Sequence, residues 1–330
     1  MAIAAKRIVI GSVCLLSMVF VFLNVIAYNH AYAMTHFTMQ GTRTANPEHL
    51  KGWHKLKTLF LGINLPRPTG VIPAQEIAPD CRPLVINAPD GIRLSGWYCD
   101  RGCDTPLVIL FHGYSAEKSS LAEEAKAFLF LGVSILLVDF RGSGESSEAY
   151  TTIGIHEADD VSTVVRYADT HLNHTKTVLF GQSMGAAAIL RAVNHNSVAP
   201  DAVILEAVFD TMLCTVRNRF ASMNVPSFPS AQLLIFWGGL QWGFNGFRHN
   251  PVDDAAALRC PALFMHGTDD PRATWAEGRR VFDAAPGMKQ FKTFSGIGHE
   301  SYVSRPQAKW LASVEAFLRD TRILQANYGR

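Results

Sequence analysis

Residues 177–193 read TVLFGQSMGAAAILRAV: an apolar run, a Gly-x-Ser-x-Gly pentapeptide and an alanine-rich stretch in unbroken succession. This order requires a strand that becomes a helix across a very tight turn, so that Gly181 and Gly185, two residues either side of Ser183, must be small. The turn lifts the Ser183 hydroxyl out at the carboxyl end of its strand, beside the N-terminus of the helix. The rest of the chain has to supply a sheet around that strand.

It does so by alternation. Apolar strand candidates lie at Leu84–Asn87, Ile92–Tyr98, Leu107–Phe111, Ser134–Val138, Thr177–Phe180, Ala202–Leu205, Ala262–Met265 and Phe291–Phe294. Several are continuous apolar runs, as expected of parallel strands buried on both faces. Helical spacing covers Lys118–Leu131, His156–His171, Met184–Val193 and Gln307–Leu324. Pro89-Asp90-Gly91 is a hairpin turn, so the sheet is expected to begin antiparallel and continue parallel. The expected class is α/β, a mostly parallel eight-stranded sheet with helices on both faces. Thr211–Leu258 interrupts the rhythm with a segment rich in Phe, Trp and Gly, which reads as a cap over one end of the sheet.

Hydrophobic residues make up 48% of the 330 and charged residues 18%, and much of the apolar excess is at the N-terminus. Ile8–Tyr28 carries no charge. As a helix it spans roughly 31 Å, about the thickness of a bilayer's hydrocarbon core. Lys6 and Arg7 before it favour a cytoplasmic N-terminus, with the remainder on the non-cytoplasmic side, the periplasm if the source is bacterial. The alternative is a signal cleaved at Ala31-Tyr32-Ala33 and a secreted product, but a signal's apolar core runs only about 7–15 residues. The expected organisation is an anchor over 1–33, a juxtamembrane helix and linker over 34–82, and the main domain over 83–330 with its cap at 211–258. Within the second unit, Pro47–Phe60 has apolar helical spacing with Lys51, Lys55 and Lys57 interleaved, so it either lies on lipid or packs on its own domain. Thirty Lys+Arg against 28 Asp+Glu, without a basic cluster, argues against a nucleic-acid partner.

Of the six cysteines, Cys14 lies in the apolar run. Cys99 and Cys103 flank an Asp-Arg-Gly turn and either close a small disulfide or remain surface thiols, while Cys81, Cys214 and Cys260 have no evident mates. Paired short Cys/His spacings are lacking, and neither a metal nor an organic cofactor is expected.

A serine hydroxyl is a poor nucleophile until a base accepts its proton, and the base needs an acid to orient it. In a sheet of this kind the chain order is Ser, acid, His. Met265-His266-Gly267-Thr268-Asp269-Asp270 follows one downstream strand and Gly296-Ile297-Gly298-His299 the next, so both bring polar residues to the edge that carries Ser183. His299 is the expected base, and Asp269 or Asp270 the acid. Singly, His299 reads as a loop histidine and the aspartates as a helix cap; their order and strand ends make them a set. The backbone N–H groups of Met184 and of Tyr114, in the loop after Leu107–Phe111, are the expected oxyanion donors. His112 precedes the serine and is expected to shape that loop.

GQSMG (Gly181–Gly185), FHGYS (Phe111–Ser115), VDFRGSGES (Val138–Ser146) and the HG-x-x-D box (His266–Asp270) together resemble the α/β-hydrolases of the serine aminopeptidase-like and lysophospholipase-like group, over about residues 84–318. The resemblance implies an α/β-hydrolase fold and nominates Asp270, the fourth residue after the box's His, as the acid. Relatives that carry the acid after an earlier strand would nominate Asp210, and Arg141 and Gly142 would be structural. The implied activity is that of a serine hydrolase that cleaves an ester, or a thioester, of a small or lipid-like molecule through an acyl-enzyme. An aminopeptidase-like peptidase is the alternative, needing a group to hold a peptide N-terminus, for which Glu206 is the one candidate. A non-catalytic binding protein on the same fold is a third reading. The cap aromatics Phe220, Phe228, Phe236, Trp237, Trp242, Phe244 and Phe247 either line an apolar substrate site or pack the cap down.

Overall fold

The computed structural model describes residues 2–70, 72–305 and 307–324; residues 325–330 of the expected main domain lie outside the described residues. The chain begins with α1 (Ala2–Thr35) and, after a short 3-10 turn at Pro47–His49, α2 (Gly52–Leu61). Strands β1 (Arg82–Asn87), β2 (Arg93–Cys99), β3 (Leu107–Phe111), β4 (Ser134–Val138), β5 (Thr177–Gln182), β6 (Ala202–Glu206), β7 (Ala262–Gly267) and β8 (Lys289–Phe294) form one eight-stranded sheet in the order β1-β2-β4-β3-β5-β6-β7-β8. β2 is antiparallel to both neighbours and every other pairing is parallel, as the hairpin turn and the apolar runs imply. All residues of β3, β4 and β6 are buried.

Helices α3 (Ala122–Phe130), α4 (Glu157–His171), α5 (Met184–His195), α6 (Met212–Ser222), α7 (Ser230–Trp242), α8 (Pro251–Asp254), α9 (Trp275–Ala284) and α10 (Gln307–Asp320) fill the connections. One face of the sheet is covered by α3 and α10 through Phe128, Trp310, Val314 and Phe317. The other is covered by α4, α5 and α9 through Val161, Val164, Ile189 and Val281. Each such side chain, fully withdrawn from water, contributes about 1.5–3 kcal/mol against the entropy of ordering the chain. This two-sided burial fixes β5 in the centre of the sheet and so fixes where the turn after it emerges.

The inserted segment after β6 contributes α6 and α7, which pack on each other through Val216, Phe220, Ala231 and Ile235. The last turns of α1 dock on α7: Ala27 and Ala31 are buried, Trp237 Nε1 donates to Asn24 Oδ1 at 3.0 Å, and Gln241 Nε2 donates to the Tyr28 carbonyl at 3.0 Å. Four of the seven cap aromatics, Phe220, Trp237, Trp242 and Phe244, serve packing, and Phe247 is exposed. Trp237 meets Tyr28 edge-on, Trp242 stacks on His36, and Phe244 lies against His156, whereas Phe228 and Phe236 are exposed. Towards the N-terminus α1 projects with Ile8, Leu16, Phe20 and Phe22 exposed, and Ala5–Thr35 is long and apolar enough to cross a membrane. Helix α2 has no buried residue; its Phe60 stacks on Phe22 of α1, and Trp53 and Leu61 face outward, so it does not pack on the domain core.

The β1–β2 hairpin corrects the reading of the cysteines. Its register pairs Arg82 with Tyr98 about a turn centred on Asp90, and one step further sets Cys81 opposite Cys99, where the two form a disulfide with Cα atoms 4.2 Å apart. Cys103 is a free, exposed thiol, so Cys99 and Cys103 are not bridged. Maleimide labelling of the unreduced chain, followed by peptide mapping, is expected to modify Cys103 and to recover Cys81 and Cys99 as one linked pair. Free modification of all three would contradict the bridge.

Candidate active site

The turn between β5 and α5 is built by contact. A Cβ on Gly185 would lie 2.3 Å from the Phe111 carbonyl oxygen, and one on Gly181 would lie 2.6 Å from the Ala186 nitrogen. The close approach leaves Ser183 at φ 53°, ψ −108°, a region that costs a non-glycine residue about 1–3 kcal/mol and that the surrounding sheet over-determines. Its N–H donates to the Glu206 carbonyl at 2.8 Å, tying the turn to β6.

The loop after β3 closes over the same corner, with Gly113 against the Ser183 side chain. His112 is fully buried and braced on both nitrogens: Nδ1–H donates to the Gly113 carbonyl at 2.8 Å, and Nε2 accepts from the Phe140 N–H at 3.1 Å. Burial lowers its basicity, and it is a neutral brace for the loop. The N–H groups of Tyr114 and Met184 have no acceptor among the described residues. The Tyr114 hydroxyl, pushed up to about 12 by burial, stays protonated and donates to the Met34 carbonyl at 2.5 Å.

His299 Nδ1–H donates to Asp270 Oδ2 at 2.7 Å. Asp270 Oδ1 accepts from the backbone N–H groups of Arg272 (2.8 Å) and Ala273 (3.0 Å). Burial pulls the Asp270 carboxyl up, but the imidazole and these two donors outweigh it and hold it below the usual carboxylate range. His266 steadies the same loop, its Nε2–H donating to the Ala273 carbonyl at 2.7 Å. Asp269 points to solvent and accepts from the Thr268 hydroxyl, and Asp210 is held by Arg280 at 2.8 Å. The structure therefore joins His299 to Asp270 and to neither alternative. Ser183 Oγ has no hydrogen bond to His299 among the described residues; such bonds commonly close only around a substrate. Arg141 makes a buried bidentate pair with Asp160, a structural role.

A layer of buried acids beneath the His299 loop is absent from the sequence reading. Glu124 accepts from the Ser301 hydroxyl at 2.5 Å, and Glu206 accepts from Trp310 Nε1 at 2.5 Å. Burial raises both carboxyls, Glu124 to about 7, and Glu124 when charged adds to the rise of Glu206. Glu206, enclosed in this layer, is not open to a ligand's amine. The signals were an acid closing an apolar strand and an acid between Leu121 and Phe128 on the inner side of α3. Elsewhere, Asp210, Cys214 and Glu277 bring possible ligand atoms within 4.8 Å of one another, but Asp210 is paired with Arg280 and Glu277 caps α9.

Beside Tyr114 opens a cavity of about 240 Å³. Its walls are α1 (Leu23, Ile26, Ala27), α2 (Leu59, Phe60) and the cap (Val216, Arg219, Phe220), and Phe220 is the one cap aromatic in its lining.

This sheet, turn and loop arrangement is that of an α/β-hydrolase. Residues 103–217 match the family model described as serine aminopeptidase, S33. An uncharacterized protein of Mycobacterium tuberculosis is 27% identical over 266 residues, covering 79% of this chain and 88% of that protein. The lysophosphatidylserine lipase ABHD12 of Rattus norvegicus is 23% identical over 210 residues, covering 60% of this chain and 50% of the lipase. Among solved structures, the Pyrococcus furiosus esterase Pf2001 aligns with a TM-score of 0.66 at 20% identity, covering 78% of this chain and 97% of that one. A bacterial membrane phospholipase A aligns at 0.55 with 16% identity, covering 76% and 89%. The chain thus has the α/β-hydrolase fold, and the proteins it is similar to include ones named as esterases and as a lipase.

The buried acids carry a pH dependence. Unfolded, Glu124 releases its proton near its ordinary value of 4.5; folded, it holds it to about 7. Its contribution to stability is present below the lower value and lost as pH rises through the higher. Thermal unfolding of Glu124→Gln, which keeps an acceptor for Ser301, is expected to fall less between these pH values than that of the parent chain. Parallel curves would contradict a buried, proton-holding Glu124.

Proposed function

We propose that this α/β-hydrolase is a membrane-anchored serine hydrolase that cleaves an ester or thioester through an acyl-enzyme. Its anchor is residues 1–33, its juxtamembrane segment 34–82 and its hydrolase domain 83–330. The observation that carries the reading is the Asp270–His299 hydrogen bond on the sheet edge where Ser183 emerges from its strained turn. Ser183 Oγ attacks the carbonyl carbon as His299 Nε2 takes its proton, and Asp270 stabilises the imidazolium through Nδ1–H. The negative charge that develops on the carbonyl oxygen is received by the unbonded N–H groups of Tyr114 and Met184. Collapse expels the alcohol or thiol, which leaves with the proton from His299. A water molecule, deprotonated by His299, then attacks the acyl-Ser183 carbonyl; the bond to Ser183 Oγ breaks, His299 returns the proton to that oxygen and the acid is released.

The burial of Glu206 favours an ester over a peptide, because it removes the one acid nominated to hold a peptide N-terminus. Relatives and structural neighbours named as lipase and esterases agree with that choice. A retained anchor is favoured over a cleaved signal because Ala31, inside the alternative cleavage site, is buried against α7 in a continuous helix. The Cys81–Cys99 bridge and the Lys6-Arg7 pair before the apolar run favour a domain on the non-cytoplasmic side.

The test is hydrolysis of p-nitrophenyl butyrate by four variants, at Ser183, Asp270, Asp269 and Asp210. Ser183→Ala is expected to lower kcat by about 10⁴-fold or more, and Asp270→Asn by about 10³–10⁴-fold. Asp269→Asn should change it little. A crippling effect of Asp269→Asn, or of Asp210→Asn alone, would overturn the acid, and a Ser183→Ala chain as active as the parent would overturn the mechanism.

A further inference from the structure

Helix α1 ends at Thr35, and a helix leaves its last carbonyls without partners of its own. Two of them, on consecutive residues, are taken up by the surroundings of the catalytic corner. The Met34 carbonyl accepts from the Tyr114 hydroxyl at 2.5 Å, and the Thr35 carbonyl accepts from the Thr151 N–H at 2.8 Å. Thr151 is buried, and its hydroxyl, which donates to Glu157 Oε1 at 2.6 Å, lies 3.5 Å from Met184 Sδ. The last turn of α1 thus reaches both residues whose N–H groups have no acceptor among the described residues, Tyr114 directly and Met184 through Thr151.

The chain that follows α1 reinforces this hold. The Phe37 N–H donates to the carbonyl of Ala149, close before Thr151, at 2.7 Å. Arg43 Nη1 donates to the Ser115 carbonyl at 3.0 Å. Ser115, the residue after Tyr114, is buried at φ 53°, a left-handed backbone that a serine keeps only where its surroundings hold it. The helix itself is fixed to the cap by the burial of Ala27 and Ala31 and by the Asn24–Trp237 bond.

We propose that α1 is a positioning element of the active site: its last turn sets the two oxyanion donors, Tyr114 through the Met34 carbonyl and Met184 through Thr151. The inference rests on the hydrolase reading above and gives the N-terminal helix a second task besides anchoring. An oxyanion donor must stand about 2.7–3.1 Å from the place the charged oxygen will occupy, and its stabilisation counts only in the transition state. A shift of the α1 turn therefore lowers kcat and leaves KM alone.

The experiment uses the full chain in detergent micelles with p-nitrophenyl butyrate, with rates referred to the sites titrated by a fluorophosphonate. Tyr114→Phe removes the hydroxyl and keeps the ring and the N–H. It is expected to lower kcat about 10-fold at unchanged KM, less than the roughly 10²–10³-fold cost of losing a donor outright. Inhibition by a trifluoromethyl ketone should weaken by a similar factor. Ser183 Oγ adds to the carbonyl carbon of that inhibitor, its proton passes to His299, and the carbonyl oxygen becomes an oxyanion. Ala31→Leu, which crowds the contact of α1 with Gly238 of α7, should also lower kcat at unchanged KM. The double variant should lose little more than the worse single one, since both act through one turn. An unchanged kcat in Tyr114→Phe, or a loss confined to KM or to the number of titrated sites, would overturn the tether. An Ala31→Leu chain with the parent's kcat, or single losses that multiply in the double variant, would overturn transmission through α1. A parent chain inert toward p-nitrophenyl butyrate would remove the hydrolase reading and this proposal with it, whereas an active parent with an unmoved Tyr114→Phe removes the proposal alone.

Discussion

The contact between Gly185 and the end of β3 organises this molecule. With a Cβ there only 2.3 Å from the Phe111 carbonyl, the first turn of α5 can sit against β3 only because residue 185 has no side chain. That approach brings the loop after β3 beside the turn after β5, so that the Tyr114 and Met184 amides and the Ser183 hydroxyl share one corner. It also forces Ser183 into the left-handed region, and the strain is held by the sheet on both sides of β5. Loosening this contact would leave the sheet intact and disperse the corner.

The corner is supported from three directions. The loop after β7 carries Asp270, whose side chain is turned inward by the Arg272 and Ala273 amides and by the His266 latch on the Ala273 carbonyl. Below, Ser301, two residues after His299, rests on Glu124, in a layer completed by Glu206 and Trp310. Burying two acids so close together is tolerated because burial raises both carboxyls and so favours their protonated, uncharged forms. From the third direction, Tyr114 ties the loop after β3 to the end of α1. The N-terminal helix is therefore part of the architecture of the site.

What could be read from the sequence is what depends on neighbours along the chain. The turn at Gly181–Gly185, the strands around it, the sheet's mixed direction and the polar residues ending β7 and β8 are local patterns, and they lie where the spacing expects them. Between Asp269 and Asp270, the HG-x-x-D box of the resemblance points to Asp270, and the structure adds the contacts that spacing cannot show: Asp270 accepts from the Arg272 and Ala273 amides, whereas Asp269 is exposed. The Cys81–Cys99 bridge escaped a reading that looked for close spacing; it follows from hairpin register about Asp90. Glu124 carries no local sign of its partner Ser301, in the His299 loop, or of Glu206, which ends β6. The cavity is the least legible feature, since its walls come from the N-terminal helix and from a cap roughly two hundred residues later, brought together by Asn24, Trp237 and Tyr28.

The central claim is that this corner holds one activated serine. Incubating the full-length chain with a fluorophosphonate and sequencing the modified peptide tests it directly. The account predicts a single adduct, on Ser183 in GQSMG, that forms in the folded chain and disappears when the chain is unfolded beforehand. An adduct on another residue, or no adduct on a folded chain, would contradict it.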